Sequence, residues 1–368
     1  MMDITIQREA LLKPLQSISG VVEKKQTLPI LSNVLMTVKD EKLLLIGTDL
    51  EIELIGIVDI ESLITAGAVT VSARKLFDIC RTSLEGARLR FTLEGNSLVV
   101  RTQDSHFILN TLPTQDFPHL ENISYPITLK LHQHLLKKLL SQTYFAMGQQ
   151  DVRHYLNGTF LDISKGAIKC VAADGHRLAL TSIQDERVGN IETQVILPRK
   201  SVLELMRLLS DENKEEAKIG IADGRLCVTT SDYIFTTKLI NAQYPDYSRL
   251  IPRGTLIATG DREVIKQALT RASILSNEKY RGVRFQLEPN KLRITANNAD
   301  QEQAEEAVTL DYSGSNIELG FNVAYLLDVV SSITSKTIRC AFTDPNNGVL
   351  IESAESDQSL YVVMPMRL

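Results

Sequence analysis

Residues 170–180 read CVAADGHRLAL, and residues 45–54 read LIGTDLEIEL. Superimposed, they set Asp174 over Asp49, 125 residues apart. VSARKLF (71–77) and ILPRKSV (196–202) repeat an Arg-Lys pair at the same separation. A weaker third copy, RITANNADQEQAEEAV (293–308), falls near twice that spacing and puts Asn297 in the aspartate slot. Self-similarity at a fixed long period marks a structural unit repeated along the chain, and it must be read before any single motif.

The order of elements repeats with the motif. Each copy opens on a short strand, DITI (3–6), PITL (126–129) or LIAT (256–259). A helical stretch follows. Leu131, Leu135, Leu136, Leu139 and Leu140 form its apolar stripe in the second copy, and Val264, Ile265, Ala268, Leu269 and Ala272 in the third. Strand runs come next: KLLLIG (42–47), AIKCVAA (167–173) and KLRITA (291–296). A second strand and helix then appear within 68–81, 194–209 and 316–333, before closing strands with turn signals at EGN (94–96), ADGR (222–225) and DPNNG (344–348). Each unit of ~120 residues is therefore two similar halves. The Pro-bearing connectors DFPHLENISYP (116–126) and QYPDYSRLIPRG (243–254) put domain boundaries near 125 and 253. The expected domains are 1–125, 126–252 and 253–368, in an α+β chain.

Composition narrows the function. Of 368 residues, 43% are apolar, and the net charge of −5 gives no overall attraction to a polyanion. The predicted helical segments (7–20, 73–82, 130–147, 199–209, 261–277 and 322–336) nevertheless carry +9 together, leaving −14 elsewhere. If the helices share one surface, it is positive and could follow a phosphate backbone without reading bases. Lys137, Lys138, Arg74, Arg199 and Lys200 are the leading examples. Cys80, Cys170, Cys227 and Cys340 are far apart and form no metal or disulfide pattern, which fits a reducing cytoplasm. No basic-then-apolar leader opens the chain, and no apolar run approaches the ~20 residues of a membrane span.

Asp174, His176 and Arg177 look catalytic, but the repeat argues otherwise. A slot filled by Asp49, Asp174 and an asparagine calls for a side chain that bonds backbone in a turn. Acid-base catalysis also needs a nucleophile or metal, and no G-x-S-x-G, H-E-x-x-H or Walker loop is present. A DNA-processing hydrolase using Asp174 and His176 is the alternative from the enzyme class. A monomeric carbohydrate- or peptide-binding repeat protein is a third reading. The tail LYVVMPMRL (360–368) keeps apolar and sulfur-bearing side chains to the end, suiting a pocket for apolar partners. Two polar loops, VVEKKQTLP (21–29) with Lys24 and Lys25, and MGQQDVRHYLNG (147–158) with Gln149, Gln150, Arg153 and His154, each follow the first helix of a unit. The acidic run ADQEQAEEA (299–307) could answer basic residues such as Lys75 or Arg101, favouring head-to-tail assembly into a ring.

Taken in order, LLKPLQSISG, LPILSN, GTDLE, QDVRHYLNG, DGHRLA, PRKSV, YPDYSRLIP, RASILSNEKYRGVR, ITANN, GFNVAYLLDV and YVVMPMRL resemble the β subunit family of bacterial DNA polymerase III, the sliding clamps, over essentially the whole chain. The resemblance implies three domains of antiparallel sheets and paired helices, and a head-to-tail dimer forming a six-domain ring around duplex DNA. It implies no catalysis, no metal and no cofactor. The implied partners are a second copy, duplex DNA without sequence preference, the DNA polymerase III alpha subunit, the clamp loader and other proteins with a clamp-binding motif. The implied peptide pocket comprises Tyr155, Leu156, Gly175, His176, Arg177 and Leu178, with Pro245, Arg249 and Leu250, and Val362, Val363, Met364, Pro365, Met366, Arg367 and Leu368 from the tail. Leu178, Leu250, Val363 and Met364 are expected to bury the anchors, with His176 and Arg177 at the edge. DNA contacts map to Lys24, Lys25, Gln150, His154, Tyr155 and Arg199, beside Lys137 and Lys138. Lys25 stands where the family carries arginine, and His154 where tyrosine is common. The dimer contact maps to Phe107 and Leu109 against Ile274 and Leu275, flanked by Lys75, Glu302 and Glu305. Asp104 and His106 occupy positions often held by arginine.

Overall fold

A computed structural model describes residues 2–22, 28–120, 123–212, 214–356 and 358–367. Six helices organise it: α1 (Arg8–Val21), α2 (Ala73–Thr82), α3 (Gln133–Ser141), α4 (Arg199–Leu208), α5 (Arg262–Ile274) and α6 (Val323–Ser332). One strand precedes each helix and three antiparallel strands follow it, with the short extra strands Ser62–Thr65 and Asp311–Tyr312 added in the first and fifth half-units. Six such half-units make three domains of two halves each. Within a domain the halves exchange their first strands. Asp3–Gln7 pairs with Arg88–Glu94 from the second half, while Ala68–Ser72 returns to Asn33–Lys39 in the first.

The expected helix over 130–147 is shorter than its leucine stripe. Residues 130–132 belong to the strand Ile127–His132, where Leu129 and Leu131 alternate inward, and Tyr144–Ala146 is a 3₁₀ turn. A period of two and a period of 3.6 coincide over so short a stretch, and pairing with Glu216–Ala222 decides for the strand.

The chain forms two compact units, and the central domain is divided between them. One holds Met1–Lys137 and Lys200–Leu239, the other Lys138–Arg199 and Ile240–Leu368. Strand pairing explains the split. In the first unit Tyr233–Lys238 pairs with Ile52–Asp59, fusing strands of domains one and two into an eight-stranded sheet. Helix α1 packs here so closely that a Cβ on Gly47 would lie 2.5 Å from the Ile18 side chain. In the second unit Arg177–Gln184 pairs with Ser359–Val363, fusing domains two and three into a nine-stranded sheet. Among the described residues, two half-units find no such neighbour. His106–Asn110 ends a five-stranded sheet, and Gln303–Thr309 ends a four-stranded one.

Candidate functional site

The site is built around the turn at Asp174. Its Oδ1 accepts the backbone N–H groups of His176 (2.9 Å) and Arg177 (3.0 Å). Asp49 accepts from Glu51 (2.9 Å) and Ile52 (2.7 Å) in the same way. In the third domain Asn298, not Asn297, does this, accepting from Asp300 (3.0 Å) and Glu302 (2.9 Å). The third turn is one residue longer, closing at Asn297–Gln303 where the others close at Thr48–Glu53 and Ala173–Leu178. Three copies of a carboxylate or amide capping its own turn make a structural device. Gly175 has φ +89°, a conformation in which a side chain is strained, and a Cβ there would also meet the Arg153 guanidinium at 2.9 Å.

Arg177 holds the turn to its surroundings. Its Nε donates to Asp174 (3.0 Å) and its Nη2 to the Phe145 carbonyl (2.6 Å), while Nη1 pairs with Asp328. Its guanidinium lies over the rings of Tyr325 (4.4 Å) and Phe145 (5.3 Å). Arg177 is therefore mostly buried and fully engaged, whereas the exposed His176 stacks on Tyr325 at 6.2 Å.

The tail runs alongside. Val362 and Val363 lie opposite Leu178 and Arg177. The Met364 N–H donates to the His176 carbonyl (2.8 Å), and Met366 N–H to Gly320 (2.8 Å). Beneath them Leu156, Phe160, Val171, Leu178 and Val362 form a core against which Tyr155, Tyr244 and Tyr247 pack. Tyr244 stacks on Phe160 at 4.6 Å and meets Tyr155 edge-on at 6.0 Å. Burial pushes the Tyr244 phenol upward, and its hydroxyl finds no hydrogen-bond partner among the described residues. The four expected anchor-burying residues divide. Leu178 and Val363 are already buried in the core, whereas Leu250 and Met364 are 57% and 41% exposed. Pro245, Arg249 and Arg367 are exposed beside them, with Pro365 and Met366 half-buried. Leu368 lies outside the described residues.

The second polar loop borders the same site. The bidentate Arg153 guanidinium holds the Asp151 carboxyl down to about 2. Gln150 (φ +54°) and His154 are exposed, and Tyr155 is half-buried. Arg199 is less free than expected, because its Nη1 donates to the carbonyls of Met147 (3.2 Å) and Tyr144 (3.4 Å). Lys137 is ion-paired with Asp211 at 2.6 Å, while exposed Lys138 reaches Gln358 at 3.3 Å. Lys24 and Lys25 lie outside the described residues.

The residues expected at a dimer contact fall on the open edges. Leu109 is buried and Phe107 half-buried on one; near the other, Ile274 is 74% exposed and Leu275 half-buried. Lys75 is exposed on α2. Glu305 is held by Arg293 (2.6 Å) and Glu302 by the Asn298 amide (2.5 Å). Tyr325, Asp328, Phe145 and Tyr244 escaped the sequence reading. The first two lie in GFNVAYLLDV, where helical periodicity reads as core, and their link to Arg177 spans about 150 positions. Among the described residues, no three His, Cys, Asp or Glu side chains are grouped to hold a metal, and no helix is long and apolar enough to cross a membrane.

Six copies of one half-unit, joined by edge-strand pairing at two junctions, and an Asx turn repeated in all three domains define a DNA-clamp fold. Family profiles agree along the chain: the DNA polymerase III beta subunit N-terminal domain matches residues 2–121, its central domain 130–246 and its C-terminal domain 248–367. The beta sliding clamp of Pseudomonas putida is 48% identical over 370 residues, and that of Escherichia coli K12 45% over 372, each covering all of both chains. The crystal structure of the Pseudomonas aeruginosa DNA polymerase III beta subunit, 47% identical, superimposes with a TM-score of 0.95 over all of both chains. A second structure from that organism, bound to griselimycin, gives 0.96 at the same identity and coverage. The chain belongs to the DNA polymerase III beta subunit family. It is a sliding clamp for polymerase processivity and not an enzyme, and the hydrolase alternative falls with the turn role of Asp174.

Proposed function

We propose that two copies of this chain close head to tail into a six-domain ring around duplex DNA and hold the replicative polymerase on its template. One observation carries the reading. Of six equivalent closing strands, four pair within the chain at domain junctions, and the two left over, His106–Asn110 and Gln303–Thr309, are of the two kinds that pair elsewhere. A heterologous contact between them repeats at both ends and closes when the rotation permits. Phe107, Leu109, Ile274 and Leu275 supply its apolar part, with Lys75, Glu302 and Glu305 at its margins. Domain boundaries near 125 and 253 belong to the same reading.

Within the ring, Gln150, His154, Tyr155, Lys138 and Lys137, together with Arg199, Lys24 and Lys25, touch phosphate without reading bases. The groove between Leu250 and Met364 takes apolar-anchored peptides from the DNA polymerase III alpha subunit, the clamp loader and other partners, with His176 at its edge. The family membership and the free state of all four cysteines support action in the reducing cytoplasm.

The test is retention on DNA. Loaded onto a nicked circle, the protein is expected to stay through gel filtration and to run off within minutes once the circle is cut. Equal loss from circles and linear DNA would refute enclosure.

A further inference from the structure

The repeat fixes how the two open edges would meet. At the first junction Phe235 faces Leu54 and Ile234 faces Ile55; at the second Tyr361 faces Ala179 and Leu360 faces Leu180. Each register can be counted from the adjoining hairpins. Thr48–Glu53 and Ala173–Leu178 correspond to Asn297–Gln303 in the third domain, and Arg225–Lys238 corresponds to Ser97–Asn110 in the first. Carrying the count over sets one copy's Ala304 opposite the partner's Phe107, and its Glu305 opposite the partner's His106. The inner position then holds an aromatic against an aliphatic at all three junctions. Phe235 and Tyr361 are fully covered there, whereas Phe107 is only half-buried. His106 and Glu305 are both exposed, in keeping with a shared outer face.

At that outer position the junctions within the chain are Ile–Ile and Leu–Leu, and the one between chains is His–Glu. We propose that the junction between copies is tightened by protonation of His106 opposite Glu305, making ring closure pH-dependent where the internal junctions are not. The proposal rests on the head-to-tail dimer above. Charges of both signs surround the pair. The edge Gln303–Thr309 brings Glu305 and Glu306, with Glu302 just before it, and Arg293, Arg271 and Asn298 already bind these carboxylates. On the facing strand, HFILN, His106 alone can carry positive charge. Asp104 precedes it, adding negative charge, and its cross-strand neighbour Arg101 is paired with Glu94 at 3.1 Å. Imidazole changes charge between about pH 5 and 8. A histidine that gains a carboxylate partner stabilises the complex on the acid side of that range and loses the effect as pH rises.

The ring has two such junctions, each with one directly opposed pair, so the dimer should tighten about two- to thirtyfold from pH 8 to pH 6. Subunit exchange of the full chain, followed by energy transfer at nanomolar concentration, reads this directly. Wild type should dissociate less at pH 6. His106→Arg should be tight at both pH values, and His106→Leu, which copies the internal junctions, should show no slope. A flat wild-type profile, or a slope that survives in His106→Leu, overturns the proposal. Absence of any dimer at micromolar concentration at either pH would instead sink the head-to-tail reading on which it stands.

Discussion

A carboxylate flanked by imidazole and guanidinium invites a chemical reading, and hydrogen-bond geometry decides against it. Asp174 gives one oxygen to two backbone N–H groups and the other to Arg177. The third domain caps a turn of the same kind, one residue longer, with an asparagine. Asp174→Asn should therefore keep the turn and lose only the carboxylate charge that faces Arg177, whereas Asp174→Ala loses both and leaves two N–H groups unpaired. The alanine variant is expected to be about 1–2 kcal/mol less stable than the asparagine variant. Urea unfolding followed by tyrosine fluorescence would measure the gap, and equal stabilities would show that the side chain does not hold the turn. His176 owes its position to the same turn, so peptide affinity should fall with Asp174→Ala and largely persist with Asp174→Asn.

Strands at equivalent positions carry different chemistry, and one pair shows what the repeat conserves. Leu178 and Glu53 occupy the same ladder position after their turns, Leu178 facing Val362 and Glu53 facing Thr236. Leu178 is buried in an apolar cluster, whereas Glu53 is buried, accepts the Leu120 N–H at 3.1 Å and lies 4.0 Å from His119. The first junction thus puts a carboxylate where the second has a leucine. Burial pushes the Glu53 carboxyl above its ordinary 4.5 despite the Leu120 bond. A raised folded value means that the protonated form is favoured on folding. That contribution is whole below pH 4.5 and is lost as pH rises through the folded value. Glu53→Gln keeps an acceptor for Leu120 without the charge, so it should raise the urea midpoint at pH 7 and leave it nearly unchanged at pH 4. A lower midpoint at pH 7 would mean that attraction to His119 and Arg225 outweighs desolvation.

The scale of the whole chain is where sequence was most and least informative. The repeat was legible because an Asx turn and an Arg-Lys pair recur at fixed spacing, and each is a local constraint. The third slot was misplaced by one because Asn297 and Asn298 are adjacent and chemically identical, and only the strand pairing Asn297–Gln303 shows which of them lies in the turn. The Arg177 cluster was not legible at all, because Tyr325 and Asp328 are brought to it by pairing of strands far apart in the chain. Charge was legible only as a bias. A net −5 opposes DNA binding, so on the proposed reading affinity comes from local side chains such as Lys138, Gln150 and His154. Contacts of that kind go to phosphate and carry no base information. Lys138→Glu combined with Gln150→Ala and His154→Ala should therefore weaken binding to AT-rich and GC-rich duplexes by the same factor. It should also flatten the plot of log affinity against log salt, by about one unit of slope for each phosphate that is no longer neutralised. Fluorescence anisotropy on short duplexes measures both quantities. A variant that changed the ratio between the two duplexes would mean that these side chains read bases, which is incompatible with a ring that must slide over every sequence.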